Sequence, residues 1–275
     1  MERFETQLGA AEPRVRELIG RIPPQETPPL PSTWLRCEIL ERFRVLRLAP
    51  DISGKKVLEV GSGAHAISTV PLAASVGPEG RVVAAERARW SRFRPVVDAS
   101  GLGDRIWPVA CDARRLPLRS NAAELAACVH GIRSLGDEDN IVRVLREMLR
   151  VAPHAFLAES LPVARTQAQR AHLTMYDLRE ELFSITTGAR DDRHYLPLDH
   201  LASLAERAGG VVERSETLEV DLPHFLAYFP RSLVEAFPTG ERREDLLRRW
   251  DEADGLRRRY GEDHPPVGVV SVARP

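Results

Sequence analysis

Lysine is nearly absent from this chain of 275 residues: Lys55 and Lys56 are its only two, so almost all of its 39 basic side chains are arginine. Asparagine and glutamine are scarce as well. That bias fits a GC-rich genome or a hot habitat, where thermolabile amides are few. Charge of one sign is missing too, since acids and bases cancel to −1. A balance so near zero excludes a dominant nucleic-acid or membrane field and leaves only local patches. Cysteine occurs three times, at 37, 111 and 128, with no CxxC pair. That number and spacing exclude a disulfide framework and a cysteine zinc site, and no metal is expected. No run approaches the ~18 apolar residues of a membrane span. The opening "MERFETQLGAAEPRVREL" is charged where a secretion signal needs an apolar core. The expectation is a cytoplasmic protein with no membrane span.

What is present is an ordinary hydrophobic fraction of 43%, enough for a sizeable core. One core domain is expected over 51–275. A helical extension or lid occupies 1–50, and helical inserts fall near 163–197 and 224–260. Residues 1–22 read as a short helix and "PPQETPPLP" (23–31) as a stiff connector, because proline fixes φ and removes a donor. Residues 33–48 carry apolar side chains near helical spacing, either as a lid over a pocket or as a packing helix. Strands are predicted at 56–60, 81–86, 106–112, 122–132 and 155–161. Helices fall between them at 66–76, 88–99 (interrupted by Pro95) and 138–152. Such alternation predicts a parallel sheet with helices on both faces. Beyond it come a helix over 163–183, a polar loop, a helix at 198–210, a strand at 211–220, a helical stretch over 224–260 and a last strand at 267–275.

The chemistry should gather where "KKVLEVGSGAHAIST" (55–69) passes from strand to helix. Gly61 and Gly63 permit a tight turn and close backbone approach to a ligand, and the following helix offers free N–H groups. Glu59 lies in the first strand, Glu86 closes the second and Asp112 closes the third. An acid ending the second strand can accept both ribose hydroxyls. An aspartate ending the third can accept a purine's exocyclic amine. "GSGAHA" also satisfies the dinucleotide pattern G-x-G-x-x-A. In that scheme Glu59 would oppose a pyrophosphate, and Asp112 would have no role.

"VLEVGSGAHAIST", "GRVVAAE", "CDARRLPLRSNAAEL", "VHGI" and "VLREMLRV" resemble the successive motifs of class I S-adenosylmethionine-dependent methyltransferases. The likeness is nearest to the small-molecule branch that includes ubiquinone and menaquinone biosynthesis enzymes. It covers about 54–161, and "VGVVSVARP" resembles that family's final strand. The resemblance implies a Rossmann-like α/β fold, a doubly wound seven-stranded sheet with an antiparallel last strand. It implies S-adenosylmethionine as cofactor, with Glu59 toward its amino group and Gly61, Ser62 and Gly63 along its methionine part and ribose. Glu86 would hold the ribose, with Arg87 beside the adenine and Asp112 and Ala113 at the adenine edge. Val129 and His130 would line the methyl-transfer side. Two departures stand out. His65 replaces the usual glycine, where it would crowd the cofactor's carboxylate or hydrogen-bond to it, and "RVAPHAFL" lacks the Lys-Pro-Gly-Gly turn.

Methyl transfer asks the protein mainly for alignment and exclusion of water. His130 is the candidate base, with a hydrogen-bonded wall residue as the alternative. His172 and Tyr176 lie one helical turn apart, facing either an acceptor or an ordinary buried interface; His194 and Tyr195 are weaker candidates. No "NPPY" or "DPPY" follows the fourth strand, which lowers nucleic-acid acceptors. The arginines of 242–260 are interrupted by acids and follow an apolar stripe, so a solvated helix face is expected there. A small-molecule acceptor is the favoured partner; a tRNA or protein acceptor and a non-catalytic partner protein are the alternatives.

Overall fold

Strand and helix alternate along the first 160 residues because apolar runs alternate with amphipathic ones, and the structure closes them into one sheet. It is a computed structural model that describes residues 2–25, 30–87, 90–188 and 195–275. Among these residues seven strands form the sheet: β1 Lys56–Val60, β2 Arg81–Glu86, β3 Ile106–Ala110, β4 Leu125–Val129, β5 His154–Ser160, β6 Val211–Leu218 and β7 Val267–Ala273. Their order is β3-β2-β1-β4-β5-β7-β6. The first five are parallel, while β7 runs antiparallel to β5 and β6. This is the doubly wound α/β architecture expected. Its strand order reverses between β1 and β4, the place where such sheets open a crevice at their carboxyl ends.

The helices are α1 Glu2–Gly9, α2 Pro13–Arg21, α3 Trp34–Leu46, α4 Thr69–Val76, α5 Trp90–Ser100, α6 Glu138–Val151, α7 Gln167–Thr187, α8 Leu198–Arg207, α9 Ser232–Glu235 and α10 Glu241–Tyr260. One face of the sheet packs with α3, α4 and α5, and the other with α6 and α8. All five residues of β4 are buried, as parallel strands covered on both faces must be. Phe156 of β5 has no exposed surface, and burying such a ring contributes ~1.5–3 kcal/mol. The first 50 residues share this core: Phe4, Ile19, Ile22, Leu35 and Ile39 are buried in the same cluster as Val57 of β1.

Local chemistry moves several predicted boundaries. The single helix predicted over 1–22 is two, because Pro13 starts a new one at a position that needs no N–H. The helix expected from 66 begins at Thr69; Ala66 instead takes φ +52° in the preceding turn. The third strand ends at Ala110, so Asp112 stands two residues beyond it rather than closing it. The fourth strand is trimmed to 125–129. The helix predicted from 163 starts after Thr166, whose side chain forms a capping box with Gln169. It ends at Gly188 in the left-handed region. The helical stretch after 224 resolves into α9 and α10. In the connector 23–31, residues 26–29 lie outside the described residues; so do 88–89, where a helix was expected to begin, and 189–194 of the polar loop, including His194.

Candidate functional site

The turn after β1 is shaped by two glycines in the left-handed region, Gly61 at φ +77° and Gly63 at φ +67°, which a side chain would strain. A Cβ on Gly63 would meet nothing within 4 Å, so the backbone faces open space there. Glu59 points inward beside this turn and is 1% exposed. Its Oε2 accepts a 2.5 Å hydrogen bond from the Thr69 hydroxyl of α4. Its Oε1 is buried without a partner, as is the Ser62 hydroxyl. Burial pushes the Glu59 carboxyl up to about 8, against the opposing pull of the Thr69 hydrogen bond and with a contribution from nearby Glu86. Orphaned buried oxygens are costly, so these two call for a ligand group.

Glu86, at the end of β2, reaches the same turn. Its carboxylate accepts from the Gly63 N–H at 3.2 Å and from the Arg87 N–H at 2.8 Å. Those bonds aim it toward the open side of Gly63, with lone pairs to spare. Asp112 is half exposed and already occupied: Arg114 donates to it from the side chain and the backbone at 2.6–3.0 Å. These bonds hold its carboxyl down at about 2. Ala113 is half-buried against the α6 side of the core and Val129 is buried. The ring of His65, within the turn, packs edge-on against Trp34 at the start of α3, centroids 5.1 Å apart. The Trp34 indole N–H is itself buried without a partner. The start of α3 thus touches the turn after β1, while Leu35 and Ile39 of the same helix pack into the core.

Behind α3 lies a buried polar cluster that sequence reasoning largely missed. His130 follows β4 with φ +54°, and its side chain is 5% exposed. Its Nε2 lies 3.2 Å from Glu41 Oε1, and its Nδ1 lies 3.2 Å from the Ser160 hydroxyl. Both ring nitrogens are engaged, which matches a wall residue more closely than a free base. Glu38, Glu41 and Arg42 of α3 are all buried, with Arg42 bonded to Glu41 and 3.6 Å from Glu38. His224 Nδ1 meets Glu38 Oε1 at 2.6 Å, and His264 lies between His130 and His224. Burial holds His130, His224 and His264 well below the usual imidazole range, with neighbouring cations and imidazoles adding to it. His172 and Tyr176 do come together, and Tyr195 joins them: its hydroxyl lies 3.1 Å from His172 Nε2, and its ring stacks on Tyr176 at 4.1 Å. Arg133 lies over the Tyr195 ring and pairs with Glu159 at 2.7 Å. One signal was available in the sequence. In "WLRCEILERFRVL", Glu38, Glu41 and Arg42 are interleaved with residues buried around the whole helix.

A cavity of about 1000 Å³ lies elsewhere, lined by Leu18, Leu40, Phe43, Pro78 and Leu102 toward the amino ends of the strands. Helix α10 buries Leu246, Trp250 and Ala253 against α7, while Tyr260 is exposed. Its arginines Arg248, Arg249, Arg257 and Arg258 pair with Asp245, Glu181 or Asp254, the solvated charged face that was expected. Among the described residues, no helix is long and apolar enough to cross a membrane.

Solved structures give this architecture its class: the chain has the class I S-adenosylmethionine-dependent methyltransferase fold. A cyclopropane-fatty-acyl-phospholipid synthase-like protein from Lactobacillus casei superposes with a TM-score of 0.71 at 16% identity, covering 96% of this chain and 100% of that one. A putative sarcosine dimethylglycine methyltransferase from Galdieria sulphuraria gives 0.53 at 15% identity, covering 87% and 86%. The [4+2]-cyclase SpnF gives 0.54 at 16% identity, covering 86% and 82%. No protein-family model matches the sequence, and no curated protein matches it.

Proposed function

We propose that this chain is an S-adenosylmethionine-dependent methyltransferase acting on a small molecule. The observation that carries this reading is the turn after β1. There a buried carboxylate with an unpaired oxygen, an orphaned hydroxyl, an open glycine face and a backbone-anchored Glu86 meet at the switch in strand order. A cofactor with an ammonium, a ribose diol and an adenine matches those groups in kind. Glu59 and Ser62 would take the amino-acid end, Gly61 and Gly63 the close backbone approach, and Glu86 the ribose hydroxyls. Arg87, Asp112 and Ala113 would border the adenine, with Asp112 first released from Arg114. When bound, the cofactor supplies an electrophilic methyl group on a sulfonium. The chain's own part is alignment and exclusion of water. Val129, His130 and the cover of α3 serve that part, and His65 acts by seating Trp34 over the turn. The enclosed polar cluster favours a small acceptor, and the paired arginines of α10 argue against a phosphate-tracking surface.

One fold hosts many reactions, and a [4+2]-cyclase shares this one. Equilibrium dialysis of the full chain against labelled S-adenosylmethionine tests the proposal. Saturable one-to-one binding, lost in Gly63→Val, is expected. No binding at millimolar cofactor would overturn it and favour a non-catalytic partner protein. If binding holds, mass spectrometry of co-purified small molecules would identify the acceptor class.

A further inference from the structure

From the buried cluster behind α3 we infer a metal site: Glu41, His130 and His264 form a two-histidine, one-carboxylate seat for a divalent first-row ion. The argument turns on the His264 tautomer. Its Nδ1 lies 2.8 Å from the Pro265 carbonyl. A carbonyl only accepts, so Nδ1 carries the proton and Nε2 carries a lone pair. That Nε2 is buried, lacks any partner, and points at Glu41 Oε1 from 3.8 Å. A ring lone pair and a carboxylate oxygen facing each other in the interior repel unless a proton or a cation lies between them, and a divalent ion would satisfy both at once. His130 Nε2 is the third atom, 3.2 Å from the same carboxylate oxygen. Ligands ~2.1 Å from a common ion lie ~3–3.5 Å apart at octahedral to tetrahedral angles, so small side-chain shifts close this seat.

Each proposed ligand is also held from behind, as metal ligands usually are. His264 is fixed by the Pro265 carbonyl, His130 Nδ1 by the Ser160 hydroxyl, and Glu41 Oε2 by Arg42. A rival trio, Glu38, His224 and His264, meets the same spacing. Its Glu38–His224 hydrogen bond is the shorter, 2.6 Å against 3.2 Å for Glu41–His130, so an ion entering the rival trio has the tighter contact to break. The three ligands stand at 41, 130 and 264, so no short sequence motif reports them.

The test uses tag-free full-length protein, stripped with dipicolinate and then given Co²⁺ or Zn²⁺ alone. Mass spectrometry should find close to one equivalent retained after desalting. The Co²⁺ form should show the visible d–d absorption of nitrogen and oxygen ligation, a readout in the unaltered chain that needs no variant to fold. Affinity should fall at least tenfold in His264→Gln and Glu41→Gln and stay within threefold in His224→Gln. No retained metal and no d–d bands in the wild-type chain would overturn the site. So would loss of binding in His224→Gln with binding intact in His130→Gln, which would place the ion on the rival trio.

Discussion

Two regions meet under α3, and they differ in how far their polar groups are paired within the chain. The turn after β1 presents carboxylates that are anchored yet unfinished: Glu86 is set by two backbone N–H groups, and Glu59 keeps one oxygen unpaired. The cluster behind it is a dense weave of Glu38, Glu41, Arg42, Arg133, Glu159 and four histidines, nearly all removed from water. A group left incomplete at the end of a strand is arranged for something that arrives. In the cluster most groups are paired by neighbours from distant parts of the chain, with Glu38 Oε2 and His264 Nε2 left over, and removing one member of a pair leaves the other stranded.

The largest expected effect breaks the second region. Glu41→Ala removes Arg42's hydrogen-bonded partner in the interior and leaves it only Glu38 at 3.6 Å, and breaking a buried pair costs ~3–5 kcal/mol. Thermal unfolding should move down by on the order of 10 °C, whereas Glu86→Ala, in the first region, should leave it nearly unchanged. A small shift for Glu41→Ala would erase the contrast. Cofactor affinity should show the reverse. Glu86→Ala should weaken S-adenosylmethionine binding roughly tenfold to a hundredfold, the loss of charge-assisted hydrogen bonds, measured by calorimetry on folded protein. Asp112→Asn should have a smaller effect, a few-fold at most, because Arg114 already competes for that carboxylate. His65→Gly should have the least effect on affinity, since the imidazole packs against Trp34; a tenfold gain would mean that it obstructs the cofactor.

The first region was legible because its signals are contiguous. Strand, two glycines and an acid lie within a few residues, and Glu86 follows at the end of the next apolar run. Strand–helix alternation also predicted the parallel part of the sheet, while its seven strands and antiparallel last strand came from the family resemblance. Asp112 was only partly legible, since nothing in "CDARR" announces that Arg114 folds back onto it. The second region was illegible for a physical reason: its members are separated by up to about two hundred residues and become neighbours only when α3, the segment after β4 and the loop before β7 pack together. His130 was singled out for its position after a strand, but its partners Glu41 and Ser160 lie on other elements. Pairings of that kind are decided by tertiary packing, which local periodicity does not encode.

The acid inside the turn offers a pH test. Because Glu59 is held up at about 8 against an ordinary 4.5, the folded chain keeps a proton there that the unfolded chain releases. This group's contribution to stability is therefore fully present below about pH 4.5 and declines as pH rises to about 8. A cationic ligand beside it reverses the preference and expels the proton. Calorimetric titration of the wild-type chain with S-adenosylmethionine, in two buffers of different ionisation enthalpy, measures that proton directly. Near pH 6.5 binding should release most of one proton, with release fading above about pH 9 and absent in Glu59→Gln. Binding with no pH-dependent proton release in the wild type, or no binding heat at millimolar cofactor, would contradict the assignment of the turn after β1 as the cofactor site.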